Sequence, residues 1–267
     1  MGVLNVTPDS FSDGGEFFTL HKAAERSMAM AMEGADIIDI GGESTRPGSE
    51  PVAAEEELRR VIPVIENLRQ KIDVPISIDT SKAEVARAAI GAGASIVNDI
   101  TGGRGDERML PLIAETKAAL IIMHMQGTPR TMQIQPRYRD VIAEISDFFR
   151  QQYACAIGLN IDPMAIAFDP GIGFGKTLEH NLEVLAQLER LRVHDRPLVL
   201  GVSRKSFLGK LIGSPETKDR LVPGIALTSI LRGRGADVFR VHDVKENVYA
   251  LRVTEAVFRG QNDSPSH

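Results

Sequence analysis

Several short segments combine residue types suited to holding an anion or a polar heterocycle. In Arg240-Val241-His242 the outer two residues would share one face of an extended segment. Ser203-Arg204-Lys205 sets a hydroxyl beside two cations. Lys205 could form a Schiff base, donate hydrogen bonds or simply be solvated. The stretch 39–48, Asp-Ile-Gly-Gly-Glu-Ser-Thr-Arg-Pro-Gly, offers backbone N–H groups that an anion can approach, and Arg46 can complete the charge. Facing these cations are Asp79, Asn98 and Asp169, each at the end of an apolar run. A buried carboxylate is costly unless paired or hydrogen-bonded. Three such groups in one place call for a ligand rich in N–H donors.

Asp169-Pro170-Gly171-Ile172-Gly173-Phe174-Gly175-Lys176-Thr177 superficially suggests a phosphate loop, but Pro170 stands where that motif needs its first glycine. It reads instead as a glycine-flexed loop presenting Phe174 over a site, with plain packing of Phe174 as the alternative. The polar, turn-rich stretch 5–15 is long for a strand-to-helix connection, and Gly14-Gly15 would let it move.

The elements that must position these residues follow from hydropathy. Eight short apolar runs end on polar residues, at Asn5, Asp39, Asp79, Asn98, His124, Asp169, Ser203 and the Arg240/His242 pair. Each gap between runs has room for a loop and a helix. The pattern predicts an α/β fold with a parallel sheet, closed as a (β/α)8 TIM barrel whose site lies at the C-terminal strand ends. Strands are expected near 1–6, 37–40, 75–79, 95–98, 119–124, 165–169, 198–202 and 237–241. Helices are expected near 20–34, 53–70, from 80 or 81 (capped by Thr80 or Ser81, with Glu84 completing a capping box), from 107, 138–158, 179–191, 205–212, 222–233 and 244–259. One domain would span 1–260, and a polar tail, 261–267, would be disordered. The loops 7–19, 41–52 and 124–137 all fall on the site face.

At 267 residues the chain suits one barrel of about 250 residues. Its net charge of −5 argues against a nucleic-acid partner. Cys155 alone permits no internal disulfide and reads as structural or inert. No apolar run reaches the roughly 18–20 residues of a membrane span. The first residues already read as strand rather than signal peptide, and Val6 excludes an N-terminal acylation signal after Met1-Gly2. A cytoplasmic protein without membrane attachment is expected. Zinc-type spacing is missing, but a Mg2+ ion bridging a diphosphate to Asn5 fits an ion that favours few protein oxygens plus phosphate oxygens.

These segments closely resemble the dihydropteroate synthase family of folate biosynthesis: 1–15, 39–48, 77–81, 98–99, 123–127, 169–176, 203–207 and 240–244. They span nearly the whole chain and include every expected strand end. The resemblance implies a (β/α)8 barrel, generally a homodimer, that condenses 6-hydroxymethyl-7,8-dihydropterin diphosphate with 4-aminobenzoate and uses Mg2+. Carried over by motif, it implies that Asp79, Asn98, Asp169 and Lys205 hydrogen-bond the pterin, with Ile100 and Met123 lining its pocket. Arg240 would cover the pterin and, with His242, Asn5 and Arg46, hold the diphosphate. Thr45, Arg46, Pro47, Phe174 and Ser203 would surround the aminobenzoate and the leaving group, and Phe174 would also flank the pterin. Asn5, Arg46, Lys205, Arg240 and His242 would carry the catalysis. Family members normally have a leading segment before the first strand, whereas Met1 here falls within that strand. This departure bears on the barrel floor, not on the site.

Other readings use the same residues. A pterin-binding methyltransferase domain shares the barrel but needs neither the 203–205 cluster nor a diphosphate corner. A lyase would use Lys205 as a Schiff-base nucleophile. A silent ligand-binding barrel would make no product.

Overall fold

In the computed structural model, residues 1–7, 16–45 and 48–262 are described. They form β1 (Gly2–Asn5), α1 (Glu16–Met32), β2 (Ile38–Gly41), α2 (Ala54–Arg69), β3 (Ile76–Asp79), α3 (Ala83–Ala92), β4 (Ile96–Asp99) and α4 (Met109–Thr116). There follow β5 (Ala119–Met123), α5 (Val141–Gly158), β6 (Ile166–Asp169), α6 (Leu178–Ala186), β7 (Val199–Leu200), α7 (Ser206–Ile212), α8 (Leu221–Gly233), β8 (Val238–Phe239) and α9 (Val244–Asn262). β1 to β6 pair in order as a parallel sheet, and β7 pairs with β8. Parallel bridges from Phe168 to Leu198 and from Gly2 to Val241 join the two pieces into a closed ring. The expected barrel is the barrel found.

Its strands are buried on both faces, which is why they read as near-continuous apolar runs. Outward residues such as Ile38, Ile40, Ile78 and Phe168 pack under the helices in the largest hydrophobic cluster. Inward residues form a separate cluster at the barrel floor, with Met1, Ile121 and Val199 at its centre. A third cluster of Ile100, Met123, Met125, Met132 and Phe174 lies above the ends of β4, β5 and β6.

Four local expectations change. The last two strands shrink to two residues each, their neighbours being held by single bridges. α3 starts at Ala83 without a side-chain cap from its N-cap residue. Its first N–H donates instead to Asp106 Oδ2 at 3.0 Å, from 23 residues away, which no local pattern could reveal. The helix expected over 179–191 stops at Ala186, and a 3-10 turn over Leu188–Leu191 follows. α9 includes Gln261 and Asn262 from the expected tail, and 263–267 lie outside the described residues. No described helix is long and apolar enough to cross a membrane. Cys155 is exposed on α5.

Candidate active site

Strand register sets the polar groups at the barrel mouth. Asp39 on β2 lies opposite Ser77 on β3, Asp79 opposite Asn98 on β4, and Met123 on β5 opposite Asp169 on β6. One pocket is lined by Thr45, Asp79, Asn98, Ile100, Met123, Asp169, Phe174, Ser203, Lys205, Arg240 and His242. Eleven of the expected site residues are thus brought together. Asn5 ends β1 beside Gly41, half-buried and outside that lining. Arg46, Pro47 and the Ser10–Gly15 part of the first loop lie outside the described residues.

Arg240 organises the mouth. Its Nε donates to Asp39 Oδ2 and its Nη2 to Asp79 Oδ2, both at 2.6 Å. Asn98 Nδ2 also donates to Asp39 Oδ2, at 3.3 Å. Burial opposes the charge on Arg240, but Asp39 and Asp79 outweigh it and raise its pKa. Asp79 is pushed up to about 7 by burial, with Arg240 pulling the other way. Even so, Oδ1 of Asp39, Oδ1 of Asp79 and the Ser77 hydroxyl are buried without a protein partner among the described residues. Unsatisfied buried acceptors are expensive, and of these three residues Asp79 lines the pocket, so its Oδ1 is placed to accept from a ligand.

Across the mouth, Asp169 is 5% exposed and accepts from the Gly171 N–H at 2.7 Å. Burial raises its pKa, opposed by that N–H and by Lys205. Lys205 Nζ lies 4.1 Å from the centre of the Phe174 ring. Burial lowers its pKa to about 8, with Asp169 opposing. The cation–π contact and the nearby carboxylate hold the lysine head in the pocket rather than in water. Ser203 Oγ meets the backbone N–H and Nδ1 of His242, both at 3.2 Å. Arg204 leaves the cluster: it is exposed and its Nε donates to Asp243 at 3.0 Å.

Phe174 is carried by the glycine loop, as the sequence predicts. Gly171 and Gly175 adopt φ of +65° and +62°, where L side chains are strained. A Cβ at either would collide with a backbone carbonyl of the preceding loop, His124 at one and Gln126 at the other. Loop therefore packs on loop, backbone to backbone.

His124, the weakest candidate among the polar run ends, stands apart from the pocket. It ends the fifth apolar run but does not line the pocket. Its ring contacts Lys176 and packs edge-on against Phe148 at 5.1 Å. Burial, then Lys176 and Arg104, push its pKa far down, so the ring is neutral. It faces an outer cavity of about 650 Å³ between the loops after β4 and β5.

Two residues escaped the sequence reading. Asp39 was visible only as a polar strand end, yet it anchors Arg240. Its signal is a lone carboxylate inside the run Ile37-Ile38-Asp39-Ile40. Lys176 has no role of its own in the sequence reading; it is 2% exposed, and burial lowers its pKa to about 7. No local feature marks it. The loop after β2 is also tethered: Lys82 bridges Glu43 of that loop to the buried Glu57 of α2, the latter at 2.5 Å.

The donor set says what metal the site suits. No group of three or more His, Cys, Asp or Glu is poised for an ion among the described residues. Among the described residues Asn5 offers one neutral amide oxygen at this end of the barrel, a donor of the kind Mg2+ takes alongside phosphate oxygens.

Residues 1–242 match the family model described as pterin binding enzyme. The chain is 48% identical to the dihydropteroate synthase of Synechocystis sp., over 97% of this chain and 90% of that one. It superposes on the Yersinia pestis dihydropteroate synthase, solved with a sulfonamide drug, with a TM-score of 0.91 and 44% identity, covering 97% and 93% of the two chains. The Xanthomonas albilineans enzyme in complex with 7,8-dihydropteroate gives a TM-score of 0.87 and 40% identity over 99% and 94%. With this identity along almost its full length, and this barrel mouth, the chain belongs to the dihydropteroate synthase family of pterin-binding enzymes.

Proposed function

We propose that this chain joins 6-hydroxymethyl-7,8-dihydropterin diphosphate to 4-aminobenzoate, releasing diphosphate and 7,8-dihydropteroate. One observation carries the reading: a buried carboxylate oxygen of Asp79 stands without a partner in the polar pocket that also gathers Asn98, Asp169 and Lys205. The aminopyrimidine edge of a pterin is a flat row of N–H donors that would satisfy such acceptors. The Xanthomonas relative, which is seen with 7,8-dihydropteroate, supports the same substrate class.

In this reading Asp79, Asn98 and Asp169 accept from or bridge to the ring edge, and Lys205 donates to a ring acceptor. Ile100, Met123 and Phe174 supply apolar walls. Arg240 covers the ring. Thr45, Arg46, Pro47, Phe174 and Ser203 flank the aryl amine and the leaving group. Arg240, His242, Asn5 and Arg46 face the diphosphate.

The reaction then needs little acid–base help. The bond between the pterin methylene and the diphosphate oxygen breaks, and its electron pair leaves with the diphosphate. The electron-rich dihydropterin spreads the developing positive charge. The lone pair of the neutral aryl amine forms the new C–N bond, and the nitrogen then loses a proton to water. Cations at the mouth stabilise charge that grows on the leaving group, so they act mainly on the rate. Asn5 would lend one oxygen to a Mg2+ ion carried in with the diphosphate, where the ion would offset that charge.

The partner reading is a homodimer. Tyr249, Val253 and Val257 recur at four-residue spacing on α9 and are 54%, 66% and 56% exposed. On the adjoining α8, Val222 and Ile230 are also exposed. An apolar stripe of this kind suits a two-fold interface. Light scattering should give twice the chain mass, and a monomer at micromolar concentration would refute the dimer. We also assign the chain to the cytoplasm, where a protein whose lone Cys155 forms no internal disulfide fits the reducing environment.

The test of function is product formation from purified protein. Dihydropteroate should appear only with the pterin diphosphate, 4-aminobenzoate and Mg2+ together. Pterin binding without product across a range of Mg2+ concentrations would overturn the reading.

A further inference from the structure

The loop that presents Phe174 has left-handed glycines at 171, 173 and 175, a backbone able to take many shapes. Its carbonyls are nevertheless held one by one. Gln133 Nε2 donates to the Gly173 carbonyl at 2.6 Å, and the Tyr138 hydroxyl to that of Gly175 at 2.8 Å. Lys176 Nζ donates to the carbonyls of Gly171 at 3.0 Å and Phe174 at 3.1 Å, joining the two ends of the turn. The same nitrogen meets His124 Nδ1 at 3.0 Å, on the loop after β5. His124 is itself wedged against Phe148 and Tyr138. On the pocket side of this turn, the Phe174 ring carries Lys205.

We propose that Lys176 and His124 form a buried clasp that positions Phe174 and, through it, Lys205 for the pterin and the aryl amine. Lys176 is a positioning residue: it lies behind the loop and does not line the substrate pocket. The inference rests on the substrate reading above.

The chemistry of Nζ suits the task in either charge state. An ammonium has three N–H donors for its three near partners, the two carbonyls and Nδ1, while the His124 carbonyl lies further off at 3.5 Å. A neutral amine still donates to both carbonyls and accepts from Nδ1–H of the other histidine tautomer. A lysine spanning three partners can therefore hold the turn without depending on its own ionisation. A side chain lacking nitrogen would leave the buried Phe174 carbonyl without a donor and the Gly171 carbonyl with only the Phe174 N–H, freeing the turn that carries the phenyl ring.

The test uses full-length protein with Lys176→Met, His124→Asn and His124→Leu. Asparagine places an acceptor near the position of Nδ1, whereas leucine fills space better but accepts nothing. Unfolding temperature, pterin affinity by calorimetry, KM for each substrate and single-turnover rate at saturation are measured together. Lys176→Met and His124→Leu should raise KM for both substrates and weaken pterin binding by about tenfold, with a saturated rate within a few-fold of the parent. His124→Asn should stay within about twofold of the parent. Unchanged KM values in a folded Lys176→Met protein would overturn the clasp. So would His124→Asn and His124→Leu failing alike, or a fall in rate alone, as expected of a smaller folded fraction. If Lys176→Met does not fold, the His124 pair decides. A parent protein that makes no dihydropteroate overturns the synthase reading; one that makes it alongside any of these contrary results overturns only the clasp.

Discussion

The floor and the mouth of the barrel interior are built on the same strand faces. Ile37, Ile96, Ala167 and Val238 belong to the apolar floor. Two residues further along, on the same inward face, stand Asp39, Asn98, Asp169 and Arg240. About 7 Å of strand therefore separates a dry apolar layer from a charged one. The floor is apolar throughout, with Met1, Ile121 and Val199 buried and Ile37, Ile96, Ala167 and Val238 partly so. At the mouth, carboxylates outnumber the Arg240 that binds two of them, and buried oxygens lack partners. A layer of this kind gains its partners from a ligand. The floor supplies stability to the barrel, and the mouth gives up part of it for recognition.

The contrast can be broken most forcefully at Arg240, which binds two buried carboxylates of the mouth. Arg240→Ala leaves Asp39 and Asp79 as neighbouring buried carboxylates. Removing one partner of such a group should destabilise the fold by about 3–5 kcal/mol. Diphosphate affinity and single-turnover rate should fall as well, and His242→Ala should lower both more mildly. Denaturant unfolding and rapid-quench measurements check this; parent-like stability would mean that Arg240 does not hold the mouth together.

At the floor the expectation reverses. Ile121→Ala should lower stability by about 2–4 kcal/mol through lost burial and a residual cavity. Its pterin affinity, read by calorimetry on the folded protein, should remain that of the parent. A selective loss of affinity would mean that the two layers are not separable.

The smallest expected effect is a slope. Burial raises the pKa of Asp79 from 3.8 to about 7. Between these values the folded state binds more protons than the unfolded state, so this group's contribution to stability is full below 3.8 and is lost as pH rises towards 7. Asp79→Asn cannot titrate. Whatever its absolute stability, the variant should gain on the parent by more than about 1 kcal/mol between pH 4 and pH 7. Parallel stability curves would show that Asp79 ionises freely despite its burial.

The sequence made the barrel and most of the mouth legible because strand periodicity is local and each polar group ends an apolar run. Asp79, Asn98, Asp169 and Arg240 could be found in that way, and Lys205 stands two residues beyond the run that ends at Ser203. What could not be read depends on contacts distant in sequence. Asp39 acquires its role from Arg240, 201 residues later, and α3 is started by Asp106. Lys176 resembles any loop lysine until the chain folds its nitrogen under two carbonyls and His124. The same rule left His124 undecided, since ending a strand does not decide which side of the barrel wall a ring occupies.

The claim that the mouth serves a ligand at the expense of stability is tested most directly by measuring pterin affinity and unfolding free energy on the same preparation of Asp169→Asn. The amide sets a donor against a donor, and the loss of a charge-assisted hydrogen bond should weaken binding by about 1.5–3 kcal/mol. Unfolding free energy should stay close to that of the parent, because the amide oxygen can still accept from the Gly171 N–H. Unchanged affinity, or affinity lost only in step with stability, would contradict the account.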